Sequence, residues 1–417
     1  YSEINNIKNL IFTDQYTNQT KDFISKVLGK NKKITFKKSD SINSNFINSL
    51  ISLFKMPYSI LFFISLLNRR RLLKEKNNWN KYQLAHSIWD LALAIGKDGE
   101  LNPSFFNKLK SVFICHKSYL EGLNFSKKNV SFVFVGHSVY RTRALIAGLR
   151  KNSPKIEIIV QACECLYKLP YNRDISTFKL PKREWDSLFL SQKSSEMEVF
   201  KKNRLLGISK NFDTLNAAKR CLNFRNKKYS ENQLFLHTFK DSPFNFIDSE
   251  RIFADYIDWV TYTIKLICES KENWTIRIHP SSVLWGEDSY IFIDKIVKRL
   301  SYTQLPQNII IEKDSSNLNV LENAKRIVTF SGTVALEACV YGIKPIAIAE
   351  TTPSSYKSNL VLKVRNKKEY KKLLLQNSNN NIFKLKEKDI KKSWQLLYAC
   401  ENQISLKEFV NSETIFR

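Results

Sequence analysis

Ser331-Gly332-Thr333 sets two hydroxyls around a glycine. It directly follows an apolar, β-branched run, Arg326 to Phe330, and directly precedes a short helical stretch, Val334 to Tyr341. A strand that turns through such a triplet into a helix leaves unpaired backbone N–H groups. With the two hydroxyls they suit a bound anion, most often a phosphate. A plain N-cap by Ser331 or Thr333 accounts for the same residues. A second signal upstream shifts the reading toward a ligand. Arg277-Ile278-His279-Pro280 ends another expected strand, Trp274 to Ile278. A candidate carboxylate, Asp241, follows a third, Leu234 to Thr238. It stands where a ligand-facing loop should begin, although capping the turn at Ser242-Pro243 would use it equally well. Asp248 and Asp255 are reserve carboxylates, and Asp255 and Asp258 read as solvent-facing helix positions.

The elements that must position these residues alternate along the whole chain. In the first part, strands are expected at Asn9 to Thr13, Lys33 to Phe36, Val112 to Cys115, Ser131 to Val135, Ile156 to Gln161 and Ser187 to Ser191. Helices are expected at Lys21 to Leu28, Leu84 to Ile95 and Tyr140 to Leu149. Gly136-His137-Ser138 ends one strand just before a helix bearing Arg141 and Arg143. His137, Ser138, Arg141, Arg143 and Gln161 therefore stand where a ligand would gather, with Glu164 beside them, and arginine suits bidentate binding of a carboxylate. Plain surface arginines are the competing reading. Lys201 to Ser230 is polar, basic and irregular, and marks the expected boundary between domains 1–225 and 226–417. A second βαβ series follows, with strands expected at Leu234 to Thr238, Trp274 to Ile278, Asn308 to Glu312, Arg326 to Phe330, Ile346 to Ala349 and Val361 to Val364, and with one or two terminal helices over Asp389 to Phe409 that could cross back to the first domain. Such alternation predicts an α/β protein with mainly parallel sheets, whose ligands gather at the carboxyl ends of strands.

The 417 residues carry a net charge of +28, a field that attracts nucleic acid, anionic lipid or phosphorylated substrates. The basic residues are scattered and no RNP-type aromatic motif appears, which favours a membrane surface and an anionic substrate over nucleic acid. Seven cysteines without a C-x-x-C pair suggest neither zinc nor a disulfide framework, and point to free thiols in a reducing cytoplasm. The chain begins at Tyr1, as an excised piece of a longer protein would, and no signal peptide is visible. Asn45 to Leu67 is apolar but interrupted by Asn48, Lys55 and Pro57, and Arg69-Arg70-Arg71 follows. It reads equally as an interfacial helix meeting anionic headgroups and as a buried helix with a basic turn.

In order, the motifs are Leu236-His237-Thr238-Phe239-Lys240-Asp241, then Phe253 to Trp259, then Trp274 to Pro280, then Phe330-Ser331-Gly332-Thr333-Val334-Ala335-Leu336-Glu337-Ala338. This succession resembles the capsule and O-antigen polysaccharide glycosyltransferases, above all the retaining β-Kdo transferases that use CMP-Kdo. Bacterial sialyltransferases carry a comparable His-Pro motif and a Ser/Thr-rich motif. The resemblance covers Gln233 to Glu350 and is weak over Tyr1 to Val130. It implies a GT-B fold, two doubly wound Rossmann-like domains facing across a cleft, the first on the acceptor side and the second binding nucleotide sugar. It implies a metal-independent, retaining transfer of Kdo or a related sugar onto a bacterial surface polysaccharide or a lipid-linked glycan. No cofactor is called for beyond the CMP-sugar donor, and the place would be the cytoplasm or the periphery of the inner membrane. Within it, His279, Pro280, Ser331, Gly332 and Thr333 would meet the donor phosphate, whose charge grows as CMP leaves. Glu337 would hold the ribose, or else form a salt bridge or cap. Asp241 would be the nucleophile, or the general base of an inverting enzyme. His237 is a possible cleft residue without a stated role. The alternatives are a non-hydrolysing UDP-sugar 2-epimerase, which shares the Ser-Gly turn followed by a Glu, and a non-enzymatic basic protein that binds polyanions or membranes.

Overall fold

The computed structural model describes residues 10–12, 35–36, 79–96, 103–127, 132–135, 140–154, 156–162, 165–168, 182–205, 229–238, 252–253, 256–279, 282, 286–312, 320–349, 353 and 356–403. The chain is α/β and divides into two compact units. One comprises Tyr1–Gly96, Asn102–Ser176 and Ile404–Arg417, the other Lys97–Leu101 and Thr177–Gln403. The division therefore falls near residue 176 rather than at 225. The reason lies in helices α4 (Lys182–Leu190) and α5 (Ser194–Leu205), which pack on the terminal helix α10 (Glu387–Tyr398).

The first unit holds strands β1 (Leu10–Phe12), β2 (Thr35–Phe36), β3 (Phe132–Val135), β4 (Glu157–Ala162) and β5 (Cys165–Lys168) in the order β2-β1-β3-β4-β5. All pairings are parallel except β4 with β5. Helices α1 (Trp79–Ala94), α2 (Phe105–Ser126) and α3 (Tyr140–Asn152) pack together. Val112 to Cys115, expected as a strand, lies inside α2. A short apolar β-branched run cannot be told from a buried helical turn by periodicity alone; here Ser104 caps the helix by accepting from the Asn107 N–H at 3.2 Å. Ser187 to Ser191, also expected as a strand, falls in α4 and the turn after it for the same reason. Thr142 through Arg150 of α3 are buried on every side. Its Leu145, Ile146 and Leu149 join Val133, Val135 and Ile158 of the sheet, while Ala144 joins Leu84, Ile88, Val112 and Cys115. Close approach of α2 and α3 depends on Gly122 and Gly148. A Cβ on Gly148 would stand 2.1 Å from the Tyr119 carbonyl oxygen, and one on Gly122 2.2 Å from that of Leu145.

The second unit holds β6 (Asn232–Phe235), β7 (Trp274–Arg277), β8 (Ile309–Glu312), β9 (Arg326–Thr329) and β10 (Ile346–Ala347). They run parallel in the order β10-β9-β6-β7-β8. From β6 the chain steps outward to β7 and β8, then crosses back to β9 and β10 on the other side. This is the strand order of a nucleotide-binding doubly wound sheet, and its direction reverses between β6 and β9. Every residue of β6, β7, β9 and β10 is buried, as in a parallel sheet covered on both faces. Helices α6 (Tyr256–Glu269), α7 (Ser289–Arg299), α8 (Val334–Val340) and α9 (Lys367–Leu374) complete the unit. At the amino end of the sheet, the buried Arg326 guanidinium donates to the Leu374 carbonyl and to Glu272 at 2.7 Å, and lies over the Trp274 and Phe383 rings. The residues expected as a strand at Val361 to Val364 make a single bridge, Leu362 with Ile346.

Among the described residues no helix is long and apolar enough to cross a membrane. The Asn45 to Leu67 segment and the helix expected at Lys21 to Leu28 lie outside the described residues. Cys115, Cys268, Cys339 and Cys400 are free thiols, the first and third of them buried.

Candidate functional site

Pairing between β6 and β7 sets the first half of the site. Phe235 lies opposite Arg277, and the Leu236 N–H donates to the Arg277 carbonyl at 2.9 Å, so the register continues past the formal strand ends. Side chains alternate along a strand, so His237 and His279 fall on the same face as Phe235 and Arg277, one step further toward the carboxyl end. The Arg277 guanidinium lies over the Phe235 ring at 5.5 Å, and the His237 and His279 imidazoles stack above them at 6.0 Å, 21° from parallel. The Tyr256 hydroxyl, from the first turn of α6, locks the backbone of His237. It accepts from the His237 N–H and donates to the His237 carbonyl, both at 2.8 Å. Tyr256 is fully buried against Trp259, Phe292 and Phe330. Burial, reinforced by the charge of Glu287, pushes its phenol well above the usual value, so it stays protonated and keeps donating.

β9 brings the second half. The Ser331 carbonyl accepts from the Thr329 hydroxyl at 2.7 Å and approaches His237 Nε2 at 2.6 Å. A carbonyl can only accept, so Nε2 of His237 carries the proton. Gly332 follows at φ +99°, a left-handed conformation that residues with a Cβ rarely adopt. A Cβ there would also stand 2.6 Å from His237 Cε1 and 3.0 Å from Nε2. The glycine is required both by its backbone and by the imidazole laid against it. Ser331 is buried and Thr333 is exposed. Thr333 precedes α8 in helical conformation and its side chain makes no capping bond. Among the described residues, no backbone hydrogen bond uses the N–H of Gly332, Thr333 or Val334. α8 is only 7 residues long, so local N–H and hydroxyl donors matter more here than its summed dipole.

Burial, with the neighbouring His237 as a second cause, lowers the His279 imidazole to about 4. The ring is therefore neutral at physiological pH and offers one N–H rather than a positive charge. An anion placed beside it would favour the charged form and raise the value again.

The other candidates are dispersed. Glu337 of α8 accepts from Arg204 Nη2 at 3.0 Å, and the Nε of the same guanidinium lies 3.4 Å from Glu401. The salt-bridge role open to Glu337 is thus taken, by a residue sequence reading passed over. In the first unit, Arg141 is partly exposed on α3. Arg143 is not at the surface. Its side chain is 1% exposed and pairs at 3.5 Å with Asp90, itself fully buried on α1. With α3 buried from Thr142 through Arg150, the position cannot face a ligand from solvent. Gln161 lies in β4 opposite Leu166. Asp241, Asp248, Asp255, Pro280, His137, Ser138 and Glu164 lie outside the described residues. No group of three His, Cys, Asp or Glu among the described residues could hold a metal ion. Tyr256 and Arg204 were missed because their partners stand 19 and 133 residues away in sequence.

No family model and no curated protein matches the chain. Solved structures that it resembles include UDP-GlcNAc 2-epimerase of Methanocaldococcus jannaschii in complex with UDP-GlcNAc and UDP, at 14% identity and a TM-score of 0.33, over 94% of this chain and 98% of that one. KpsC of Thermosulfurimonas dismutans, a beta Kdo 2,4 transferase, aligns at 11% identity and a TM-score of 0.36, over 70% of this chain and 92% of its own. A glycosyltransferase of Rickettsia africae aligns at 9% identity and a TM-score of 0.33, over 99% and 98% of the two chains.

Proposed function

We propose that the chain is a glycosyltransferase and that its second unit binds the phosphate of a nucleotide-sugar donor at the carboxyl ends of β6, β7 and β9. One observation carries this reading. His237, His279 and the Ser331-Gly332 turn converge where the strand order of a doubly wound sheet reverses, the place where such sheets bind ligands. A sugar leaving its nucleotide builds negative charge on the phosphate. Neutral donors fixed beforehand, the His279 N–H and the hydroxyls and N–H groups of Ser331 to Thr333, stabilise that charge without reorganising. Each such donor is worth roughly 10²–10³ in rate where it has been removed from other enzymes.

The motif order over Gln233 to Glu350 supports CMP-Kdo as the donor, a bacterial surface polysaccharide or lipid-linked glycan as the acceptor, and the cytoplasmic face of the membrane as the place. Asp241, shortly beyond β6 in sequence, is then the carboxylate that attacks the sugar or deprotonates the acceptor. The test measures nucleotide release from CMP-Kdo and from UDP-sugars, with and without acceptor. CMP release that is severely weakened in His279→Ala and abolished in Asp241→Ala, with CMP binding intact in the latter, supports the proposal. Conversion of a UDP-sugar at constant mass without acceptor would replace it with an epimerase. Near-normal turnover in Asp241→Ala would remove that residue from the chemistry.

A further inference from the structure

We infer that His237 is a positioning residue: its Nε2–H bond to the Ser331 carbonyl holds the Ser331-Gly332-Thr333 turn against the His279 imidazole. The consequence for ligand binding rests on the phosphate reading above. The hold on the turn does not.

The geometry behind it begins with the backbone of His237, which cannot drift. Tyr256 holds both its N–H and its carbonyl at 2.8 Å from inside the core. The ring cannot swing either, since His279 stacks beside it at 6.0 Å and the bare Cα of Gly332 lies against it where no Cβ would fit. Its Nε2 then meets a carbonyl that belongs to a residue 94 positions away, on the far side of the strand-order reversal. The bond ties the end of β6 to the turn after β9 at the point where adjacent strands run to different connections. Thr329 also donates to that carbonyl, but it sits on β9 itself, so it cannot fix the turn relative to β6 and β7. A residue that merely filled space here would need shape alone, whereas a positioning residue needs a donor at the Nε2 position.

That difference is testable on the full chain with three variants. Gln presents an amide N–H close to where Nε2 stands, Asn presents one too short to reach, and Leu presents none. Hydrogen exchange is read over residues 329–338 without ligand, and CMP affinity and donor KM are read separately. The expected result for His237→Leu and His237→Asn is faster exchange across the turn, with CMP affinity weakened about tenfold, the size of one lost hydrogen bond. In His237→Gln both return to within about threefold of the wild type, and kcat at saturating donor follows the same order, lowered in the Leu and Asn variants and recovered in Gln, since the turn also meets the charge that grows on the leaving phosphate. Unchanged exchange in the Leu and Asn variants overturns the inference. So does a folded Gln variant as damaged as the Leu variant, or an Asn variant as good as Gln. If the wild type binds no nucleotide at all, the functional reading fails by itself, and the exchange data still decide the role of His237 in either direction.

Discussion

Replacing His279 with glutamine should change how the stability of the protein depends on pH. In the folded chain the imidazole is held at about 4, against an ordinary value of 6.5, first by burial and second by His237. The unfolded chain takes up its proton near 6.5, so between the two values it binds more protons than the folded chain. Stability from this group is therefore intact above pH 6.5 and is lost as pH falls toward 4. The gap of 2.5 units (6.5 − 4), at ~1.36 kcal/mol per unit, sets a ceiling of about 3 kcal/mol. Over the accessible range from pH 7 to pH 5, the same two values give a loss of about 2 kcal/mol. Glutamine keeps an amide donor and does not titrate. Urea unfolding followed by tryptophan fluorescence at pH 7 and pH 5 should thus show the wild type losing about 2 kcal/mol more than His279→Gln over that interval. Parallel pH dependences in the two proteins would show that the ring is solvated, and would refute the buried neutral imidazole on which the donor argument depends.

Two further substitutions probe contacts that leave no room. Gly332→Ala meets both a positive φ and the His237 ring at 2.6 Å, and should cost about 2 kcal/mol or more in thermal unfolding and abolish CMP binding. Combining it with His237→Ala should recover only the steric part, because the backbone strain remains. Gly148→Ala forces a methyl to 2.1 Å from the Tyr119 carbonyl oxygen, parting α2 from α3. It should lower the unfolding temperature of the first unit by an amount equivalent to about 3 kcal/mol, with CMP binding in the second unit preserved.

Much of the second unit was legible because four of its five strands are fully buried and its helices carry strong punctuation. Arg326 to Phe330 forms β9 less its last residue, and Val334 to Tyr341 forms α8 less its last. The strand expected at Trp274 to Ile278 is β7 and that expected at Asn308 to Glu312 is β8, each within one residue at its ends. The first unit was harder where one of its helices, α2, carries a β-branched apolar run that reads as a strand. Val112 to Cys115 misleads because α2 buries that turn against α1 and α3, where β-branched and apolar residues serve a helix as well as a sheet. The site was half legible. His279 and Ser331-Gly332-Thr333 declare themselves as small or titratable residues interrupting apolar strands. The partner choices do not: Arg143 with Asp90, Glu337 with Arg204, and His237 with Ser331 join residues 53, 133 and 94 positions apart. Spacing within a strand or helix predicts neighbours on the same element and is silent about pairs that only the sheet order brings together.

A crystal of the protein soaked with CMP tests the central claim most directly. The account predicts one phosphate within hydrogen-bonding distance of the His279 ring and of the donors in Ser331-Gly332-Thr333, at the ends of β7 and β9. A nucleotide seated elsewhere, or a phosphate held by the turn beyond hydrogen-bonding distance of His279, would contradict it.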